Sequence, residues 1–287
     1  MNVPQEGKSA LSRISGKTKG DALMTLAGKL RACKPVLGMQ NFSGSAHMIE
    51  VLAVAGFDFV MIDTEHTAWG IEHAVNLVRA ADSFDIAPVV RVFSPVEPQI
   101  AKALDCGAAG VMVPLVSTAE DANRAVKAAW YPPRGRRGMC PDTRGARYGM
   151  ESWVGYARRL PEDVAVIPLI ETIEGVDNIE AILSVDGIDS VCFGPGDYGA
   201  ALGAAVSGFT DEIADKTMSA LDKVAAATQA SGASLITTPL SGLDDPGREI
   251  NDLRDRGVNG VMYSIDTMVF HAAARRIVEA YAGANPN

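Results

Sequence analysis

The chain has 287 residues, of which 47% are apolar and 21% are charged, and a formal net charge of −9. These proportions are typical of a globular protein with a sizeable core, which excludes extensive disorder. The negative charge argues against nucleic acid as a partner, because binding of phosphates needs a concentrated basic surface.

The first 20 residues are polar and predict a flexible N-terminal arm, without the apolar core of a secretion signal. The stretch DALMTLAGKLRAC (21–33) then predicts a helix that caps the bottom of the domain. No run of roughly 18 apolar residues follows that could span a membrane. The four cysteines are scattered, without the spacing of a zinc finger. We therefore expect a cytoplasmic protein with reduced thiols and no membrane partner.

From about residue 36, short apolar runs rich in β-branched residues alternate with longer helical patterns. Near-continuous apolar runs of this length are typical of parallel strands that are covered on both faces. Several intervening segments end in glycine, which is a common helix terminator. The predicted strands are residues 35–40, 59–63, 87–92, 109–114, 164–171, 190–195, 233–238 and 260–266.

Eight strands alternating with helices predict a (β/α)8 TIM barrel that forms a single domain over residues 21–287. A doubly wound sheet also alternates strands and helices, but it needs no eighth strand and usually has a glycine-rich phosphate loop after strand one. Here strand one is followed by QNFSGSAH, which is not that motif. The segment 131–153, rich in Arg, Gly and Pro, predicts a long loop that is functional or mobile.

Barrel enzymes carry their chemistry at the carboxyl ends of the strands. Glu171 follows strand five and Asp197 follows strand six, so the two carboxylates can converge above the barrel. Two carboxylates in a wet site suit Mg²⁺ or Mn²⁺, which keep several waters. The alternative is that each carboxylate makes a separate salt bridge or caps a helix.

Two further strand ends carry groups that can move protons or bind anions. His66 lies at the end of strand two, whereas His47, His73 and His271 fall in helical patterns. A base that titrates near neutrality is what proton transfer needs. Arg91 ends strand three and needs an anionic partner, either a substrate oxygen or an internal pair with Asp63 or Glu65.

The turn Gly194-Pro195-Gly196 precedes Asp197 and could present backbone N–H groups to a carboxylate, although a plain turn fits equally well. The positions of the lysines argue against one class of aldolase mechanism. All nine lie in the N-terminal arm and cap or in predicted helices, and none ends a strand. A Schiff-base aldolase needs a lysine inside the barrel, so a carbanion would have to be stabilised by a metal instead.

The motifs FDFVMIDTEH, PVVRV, QIAKALDCGAAGVMVPLV, YPPRGRRG, PLIET and VCFGPGDY occur in this order. Over residues 21–281 the chain thereby resembles the HpcH/HpaI family of metal-dependent pyruvate aldolases, which includes 4-hydroxy-2-oxoheptanedioate aldolase and 2-keto-3-deoxy-sugar-acid aldolases. The resemblance implies a class II aldolase of aromatic or sugar-acid catabolism, which cleaves a 4-hydroxy-2-oxo acid to pyruvate and an aldehyde through a metal-stabilised enolate. Mg²⁺, Mn²⁺ or Co²⁺ would serve as the cofactor.

The resemblance also implies roles for individual residues. Glu171 and Asp197 would be the metal ligands, and Arg91 would hold the keto oxygen of the pyruvyl unit. His66, paired with Asp105, would organise the acid–base step. Asp63 and Glu65 would orient His66, and the turn from Gly194 through Pro195 and Gly196 to Asp197 would bind the substrate carboxylate. The family further implies a homo-oligomer, a hexamer built as a trimer of dimers, in which the last helix packs on a neighbouring subunit.

The chain departs from the family pattern around the expected second-substrate site: at Thr64, at Thr67–Gly70, at Cys106 and in the Arg-rich loop 140–149. Related reactions of a metal-stabilised enolate are therefore alternatives, namely oxaloacetate decarboxylation, a macrophomate-synthase-like condensation and acyl-CoA cleavage. A catalytically silent barrel that serves only for binding is a further alternative, but it would have no reason to retain Glu171, Asp197, His66 and Arg91 together.

Overall fold

Eight parallel strands close into a barrel in which each strand pairs with its neighbours in chain order. The computed structural model describes residues 24–240 and 243–284. All eight predicted strands are confirmed, with ends that differ from the predicted ones by at most two residues. The strands are Val36–Asn41 (β1), Phe59–Asp63 (β2), Ala87–Arg91 (β3), Gly110–Val113 (β4), Ala165–Ile170 (β5), Ser190–Phe193 (β6), Ser234–Thr237 (β7) and Gly260–Ile265 (β8).

Helices surround the barrel and connect its strands. They are Leu26–Arg31 (α1), Ala46–Ala55 (α2), Ile71–Ser83 (α3), Glu97–Asp105 (α4), Ala119–Ala129 (α5), Trp153–Asp163 (α6), Ile173–Asp177 (α7), Ile179–Leu183 (α8), Pro195–Ala201 (α9), Ala204–Ser207 (α10), Asp211–Ser231 (α11), Pro246–Asp255 (α12) and Asp266–Ala284 (α13). Local signals explain several helix ends: Thr118 makes a capping box at the start of α5, and Gly232 ends α11 in the left-handed conformation.

The strands are buried on both faces, because side chains alternate between the barrel interior and the surrounding helices. Phe59, Met61 and Val89 belong to the interior cluster, while Val60 and Ile62 pack against the helices. Small and large side chains face each other across the barrel interior. A Cβ on Gly38 would lie only 2.2 Å from the Phe59 ring, so glycine there leaves the space that the aromatic ring fills.

The predicted capping helix is confirmed over Leu26–Arg31, and the remainder of the predicted arm and cap, residues 1–23, lies outside the described residues. Leu26 and Leu30 of α1 join the interior cluster and close the amino end of the barrel. The Ser234 hydroxyl at the start of β7 donates to the Leu30 carbonyl oxygen at 2.6 Å. Helix α1 therefore closes the amino end of the barrel.

The long segment between α5 and α6 also lies at the amino end of the barrel, since each helix after a strand returns the chain to that end. Arg137 of this segment is buried and donates to Asp105 at the end of α4, and Gly145 N–H donates to the Asp105 carbonyl. We expected the Arg-rich part, residues 140–149, beside the second substrate. Within one chain that expectation is wrong, because the loop packs on the opposite end from the strand carboxyl ends.

Among residues 24–240 and 243–284, no helix is both long enough and apolar enough to cross a membrane. The longest helices are α11 and α13. α11 packs its apolar side on the barrel, whereas α13 buries only its first residue, Asp266, in the described chain.

Truncation of the floor residue Leu30 tests the role of α1. Leu30 is 1% exposed, and a Leu→Ala change at such a site costs about 2–5 kcal/mol because it leaves a cavity. We expect Leu30→Ala to lower the free energy of unfolding in denaturant by this amount. Val206→Ala, at a position that is 95% exposed, should change it by less than about 0.5 kcal/mol. Equal effects of the two variants would show that α1 does not pack into the barrel.

Candidate active site

The top layer of the barrel interior can be read from strand alternation, because residues two apart on a strand face the same side. Met61, Val89 and Leu169 belong to the interior cluster. The residues two positions beyond them are polar and lie at the carboxyl ends of their strands. Together with their counterparts on the other strands, they form a polar layer that comprises Gln40, Asp63, Arg91, Glu171, Gly194 and Thr238.

Asp63 and Arg91 face each other directly in the β2–β3 register. Arg91 Nε donates to Asp63 Oδ1 at 2.6 Å and lies 3.3 Å from Glu65 Oε2. The Asp63 side chain is fully buried and that of Arg91 is 8% exposed, so this is a desolvated ion pair that fixes the guanidinium. Its terminal nitrogens have no hydrogen-bond partner in the described chain and remain for an external oxygen.

Asp63 shapes the loop that carries Glu65 and His66. Its Oδ1 accepts from Glu65 N–H at 3.2 Å and its Oδ2 from His66 N–H at 2.9 Å. The Thr64 hydroxyl donates to the Arg91 carbonyl at 2.6 Å and so ties the same loop to β3. Both carboxylate oxygens of Asp63 are occupied by these donors and by Arg91. This geometry fits the orienting role that the resemblance implies for Asp63, which we also expect to contribute to catalysis.

His66 stands at the rim of the site, with 55% of its side chain exposed, and its Nε2 lies 3.6 Å from Glu65 Oε2. The predicted pairing of His66 with Asp105 does not occur within one chain. Asp105 ends α4 at the amino end of the barrel, where it accepts from Arg137 Nη2 at 2.5 Å. The physical reason is chain direction: α4 runs antiparallel to the strands and carries its last residue away from their carboxyl ends.

Glu171 is 4% exposed and lies directly after β5. Its Oε1 accepts from Leu115 N–H at 2.7 Å, and Leu115 adopts the left-handed conformation with φ of 57°. Glu171 Oε2 accepts no hydrogen bond from the described chain. A Cβ on Gly194 would come within 3.4 Å of Oε2, so the glycine keeps this oxygen open.

Asp197 lies in the first turn of α9, which follows β6, the strand next to β5, and it is exposed. The backbone N–H groups of Gly196 and Asp197 have no acceptor within the helix, as is general for a first turn. The other two residues of the predicted carboxylate-binding turn, Gly194 and Pro195, cannot supply an N–H group. Gly194 N–H donates to the Ile170 carbonyl at 2.9 Å, and Pro195 has no N–H.

Negative charge is concentrated between these residues. Burial raises the pKa of Glu171 to about 7; the Leu115 N–H opposes this increase, and the charges of Asp197 and Glu65 add to it. Burial also raises the pKa of Glu65, while the Arg91 charge lowers it. Glu65 Oε2 is buried without a hydrogen bond in the described chain. Arg91 is thus the one fixed cation that offsets this cluster of carboxylates.

These residues fit a divalent cation. The open Oε2 of Glu171, the electrostatic coupling of Glu171 to Asp197 and the oxygen-only donor set match what Mg²⁺ and Mn²⁺ require. No group of three or more His, Cys, Asp or Glu side chains in the described part of the chain could hold a metal. The fit is therefore to an ion that takes two carboxylates and completes its shell with water and substrate oxygens.

Three supporting residues escaped the sequence analysis. Leu115 holds Glu171 through its backbone, and the Phe42 ring centroid lies 5.7 Å from Arg91 Cζ. Asp266, at the start of α13, is 1% exposed. Its carboxylate accepts from Phe42 N–H, Ser43 N–H and Asn41 Nδ2, and so fixes the loop after β1. The alternation of side chains along the strands could have revealed the polar layer, but nothing in the sequence predicts the left-handed turn at Leu115.

The described lysines lie away from this layer. Lys29, Lys102 and Lys127 lie in α1, α4 and α5, Lys34 precedes β1, and α11 carries Lys216 and Lys223. Lys8, Lys17 and Lys19 lie outside the described residues. In the described chain, therefore, no lysine amine ends a strand of the barrel.

Comparison with known proteins places this site in a family. The model of the HpcH/HpaI aldolase/citrate lyase family matches residues 38–273. The chain belongs to this family. As an HpcH/HpaI protein it is a carbon–carbon lyase, and the matched region contains the polar layer and the loops around it.

Relatives and solved structures agree with the HpcH/HpaI assignment. The chain is 37% identical over 174 residues to a hydroxypyruvate/pyruvate aldolase of Sagittula stellata, over 61% of this chain and 68% of that protein. It is 29% identical to a 2-keto-3-deoxy-L-rhamnonate aldolase of Escherichia coli K12, over 85% of this chain and 88% of that protein. A family member from Burkholderia cenocepacia J2315 has a similar structure with a TM-score of 0.80 at 29% identity, covering 89% and 98% of the two chains.

Neutralisation of Glu171 should stabilise the metal-free protein in a pH-dependent way. The folded-state pKa is raised from 4.5 to about 7, so the stability contributed by this group is fully present below pH 4.5 and lost as the pH rises through 7. Glu171→Gln keeps the acceptor for Leu115 N–H and removes the charge. We expect it to raise the free energy of unfolding at pH 8 by about 1–3 kcal/mol, since one pKa unit is about 1.4 kcal/mol.

Chelator-treated protein should be unfolded in denaturant at pH 5 and pH 8. The gain should be several-fold smaller at pH 5 than at pH 8, and the exposed control Glu162→Gln should show no gain at either pH. A variant that is less stable than the unmodified protein at pH 8 would contradict the desolvated, charge-crowded environment of Glu171.

Proposed function

We propose that this chain is a metal-dependent class II aldolase that reversibly cleaves a 4-hydroxy-2-oxo acid to pyruvate and an aldehyde. The observation that carries the proposal is the crowding of Glu171 against Asp197 and Glu65 beside a fixed Arg91, at the end of the barrel where such enzymes react. A site of this kind attracts a divalent cation and an anionic 2-oxo acid. The names of the aldolase relatives support the same reaction class.

Glu171 and Asp197 would hold the cation, Mg²⁺ or Mn²⁺, with Co²⁺ as a further candidate. Such an ion, when bound, supplies Lewis-acid stabilisation of negative charge on the oxygens of the 2-oxo acid. The two ligands would differ in how firmly the protein holds them. Glu171 is buried and held by Leu115 N–H, and Asp197 lies in the first turn of α9 beside β6.

Arg91 would bind the keto oxygen of the pyruvyl unit. Its Nε is committed to Asp63, so the guanidinium cannot rotate away and its terminal nitrogens keep a fixed direction. When the C3–C4 bond breaks, its electron pair forms the C2–C3 double bond and negative charge develops on the C2 oxygen. A donor already aimed at that oxygen stabilises this charge without reorganisation. The first-turn N–H groups of Gly196 and Asp197 would bind the carboxylate.

His66 would serve as the base at the open side of the site. It would accept the proton of the C4 hydroxyl, directly or through one water, as the C3–C4 bond breaks and the aldehyde carbonyl forms. Delivery of a proton to C3 of the enolate then yields pyruvate, so that atoms and charge balance. Glu65 Oε2 lies 3.6 Å from the imidazole Nε2. In the reverse direction the same groups would run aldol addition.

Exchange of the C3 protons of pyruvate with D₂O, followed by NMR, tests the enolate step without any aldehyde. We expect exchange that is lost on removal of divalent cations and restored by Mg²⁺ or Mn²⁺. Arg91→Ala should slow it by on the order of 100-fold or more, because one preorganised electrostatic partner of the enolate is lost. Arg91→Lys keeps the positive charge but not the planar guanidinium with its several N–H donors. Its exchange rate should lie between those of the unmodified protein and Arg91→Ala.

Arg124→Ala provides a matched control, because Arg124 lies on α5 and contacts only its helix neighbour Asp121 among the described residues. Its exchange rate should equal that of the unmodified protein. Thermal unfolding of each variant separates lost chemistry from lost structure. Unimpaired exchange in folded Arg91→Ala, or exchange that survives chelation, would refute the proposed function.

We further propose that the protein is a homo-oligomer, a hexamer, and that α13 forms one of its contacts. This helix exposes 68% of Phe270, 72% of Ile277 and 62% of Val278. These positions are seven and eight residues apart and therefore share one helix face. An apolar stripe of this length on a helix that leaves the barrel is typical of a surface that another subunit covers.

A charge placed in the stripe should disrupt assembly. We expect Ile277→Glu to reduce the molar mass measured by light scattering after gel filtration, because a carboxylate cannot be buried unpaired in an apolar contact. Arg276→Glu introduces the same side chain about 100° around the helix from Ile277 and should leave the mass unchanged. A monomeric unmodified protein, or an unchanged mass for Ile277→Glu, would contradict the proposed contact.

A further inference from the structure

One buried carboxylate from the last part of the chain holds the loop after β1, residues 42–45. Asp266 Oδ1 accepts from Phe42 N–H at 3.0 Å and from Ser43 N–H at 3.2 Å, and its Oδ2 accepts from Asn41 Nδ2 at 2.8 Å. The Ser43 hydroxyl also donates to Oδ2. Hydrogen bonds to an ionised acceptor are stronger than those to a neutral one. The start of the loop is therefore anchored to the first residue of α13.

An irregularity in β8 brings Asp266 to this position. The register of β1 against β8 shifts between Gly38 and Gln40, where β8 has one extra residue. Within this stretch, Ser264 adopts the left-handed conformation with φ of 64°. Such a β-bulge redirects the side chains that follow it, and a strained residue persists only where its surroundings stabilise it. The placement of Asp266 against β1 is thus built into the strand pairing.

The anchored loop places an aromatic ring against Arg91. Phe42 is half-buried and packs on the interior cluster of the barrel. Arg91 Cζ lies over its ring, 5.7 Å from the centroid, which is within the range of a cation–π contact. Arg91 Nε is bound to Asp63 at 2.6 Å. The guanidinium is therefore restrained by two groups, the carboxylate of Asp63 and the ring of Phe42.

The far half of the same loop is held separately. The Gly44 carbonyl accepts from His73 Nε2 at 2.8 Å. Gly44 has φ of 62°, and a Cβ there would lie 2.8 Å from Trp69 Nε1, so that only glycine lets the loop and the indole approach so closely. Because His73 and Trp69 fix Gly44, the position of Phe42 in the near half depends on Asp266.

We propose that Asp266 is a positioning residue for Arg91 and acts through Phe42. The inference rests on the proposed function, in which Arg91 binds the keto oxygen. Without the anchor, the Phe42 ring no longer restrains the guanidinium, and the terminal nitrogens lose their fixed direction towards the oxygen on which charge develops.

Asp266→Asn keeps the shape of the side chain but removes its charge and turns one acceptor into a donor. Exchange of the pyruvate C3 protons with D₂O is measured with Mg²⁺ and the full chain. We expect kcat for this exchange to fall by about threefold to thirtyfold, the range for loss of one cation–π contact. KM for pyruvate should change by less than about twofold, because the lost stabilisation concerns charge that develops in the transition state.

Phe42→Leu leaves the hydrogen bonds to Asp266 in place and removes only the ring. It should lower kcat to the same extent as Asp266→Asn. The double variant should be within about twofold of the slower single variant, since both changes remove the same contact with Arg91.

Two variants at the amino end of the barrel are matched controls. Asp58 also holds a backbone group, because its carboxylate accepts from Leu37 N–H at 2.9 Å. Asp58→Asn should therefore lower the stability, as Asp266→Asn does, but leave kcat unchanged. Phe84 is 43% exposed at the end of α3, and Phe84→Leu should not change kcat, in contrast to Phe42→Leu. Thermal unfolding of each variant identifies a temperature at which all of them are folded.

Deuterium uptake by the backbone of the loop, followed by mass spectrometry, tests the anchor without reference to activity. The amides of Phe42 and Ser43 both donate to Asp266. Their uptake should be at least about threefold faster in Asp266→Asn than in the unmodified protein, and unchanged in Asp58→Asn. Equal uptake in Asp266→Asn and the unmodified protein overturns the proposal.

Absence of pyruvate proton exchange in the unmodified protein refutes the proposed function, and deuterium uptake then decides whether Asp266 holds the loop. Normal pyruvate proton exchange in folded Phe42→Leu overturns the link from Asp266 to Arg91, and this variant alone decides if Asp266→Asn does not fold. An equal fall of kcat in Asp58→Asn, or effects of Asp266→Asn and Phe42→Leu that multiply in the double variant, would also overturn it.

Discussion

The structure of the site depends on one electrostatic constraint, an excess of carboxylate groups over fixed positive charge at the open end of the barrel. Arg91 pairs with Asp63 and also lies 3.3 Å from Glu65 Oε2, so that in the described chain its one guanidinium is shared by the carboxylates of Asp63, Glu65, Glu171 and Asp197. In the absence of a bound ion, the fold accommodates this imbalance by favouring protonation of Glu171, whose pKa lies near 7. The cost is tolerable because the rest of the barrel is closely packed, and it creates a strong preference for a divalent cation.

The groups that would bind the metal and the substrate are held in place by their surroundings. Glu171 is fixed by a left-handed backbone turn at Leu115, Arg91 by Asp63, and the loop of His66 by the remaining oxygen of Asp63. None of these contacts involves a long flexible side chain that is free to reorient. The proposed chemistry needs little else from the protein. Glu171 and Asp197 would hold the ion, Arg91 would donate to the keto oxygen and His66 would accept the proton of the C4 hydroxyl.

The sequence predicted the fold well and the site in part. All eight strands were located because parallel strands covered on both faces need continuous runs of β-branched residues, and such runs can be recognised locally. The positions of Arg91, Glu171 and Asp197 followed from the rule that barrel chemistry lies at strand carboxyl ends. The roles of these residues stay predictions until they are measured.

The errors have a common physical cause. Within one chain, Asp105 does not lie beside His66 and the loop 140–149 does not lie beside the strand carboxyl ends, because the chain returns to the amino end after every helix. Gly194 was predicted as part of the turn that binds the carboxylate, but its N–H group donates to the Ile170 carbonyl. Leu115 escaped notice because its importance lies in a backbone conformation that leucine rarely adopts. Such features depend on three-dimensional direction and backbone torsion, which residue patterns encode only weakly.

The most direct test of the account is anomalous diffraction from crystals grown with Mn²⁺ and pyruvate. The account predicts one strong anomalous peak at the carboxyl end of the barrel, within about 2.0–2.3 Å of an oxygen of Glu171 and of Asp197, as for an oxygen-ligated ion of this size. A peak elsewhere, or well-ordered side chains of Glu171 and Asp197 without an ion between them, would contradict it.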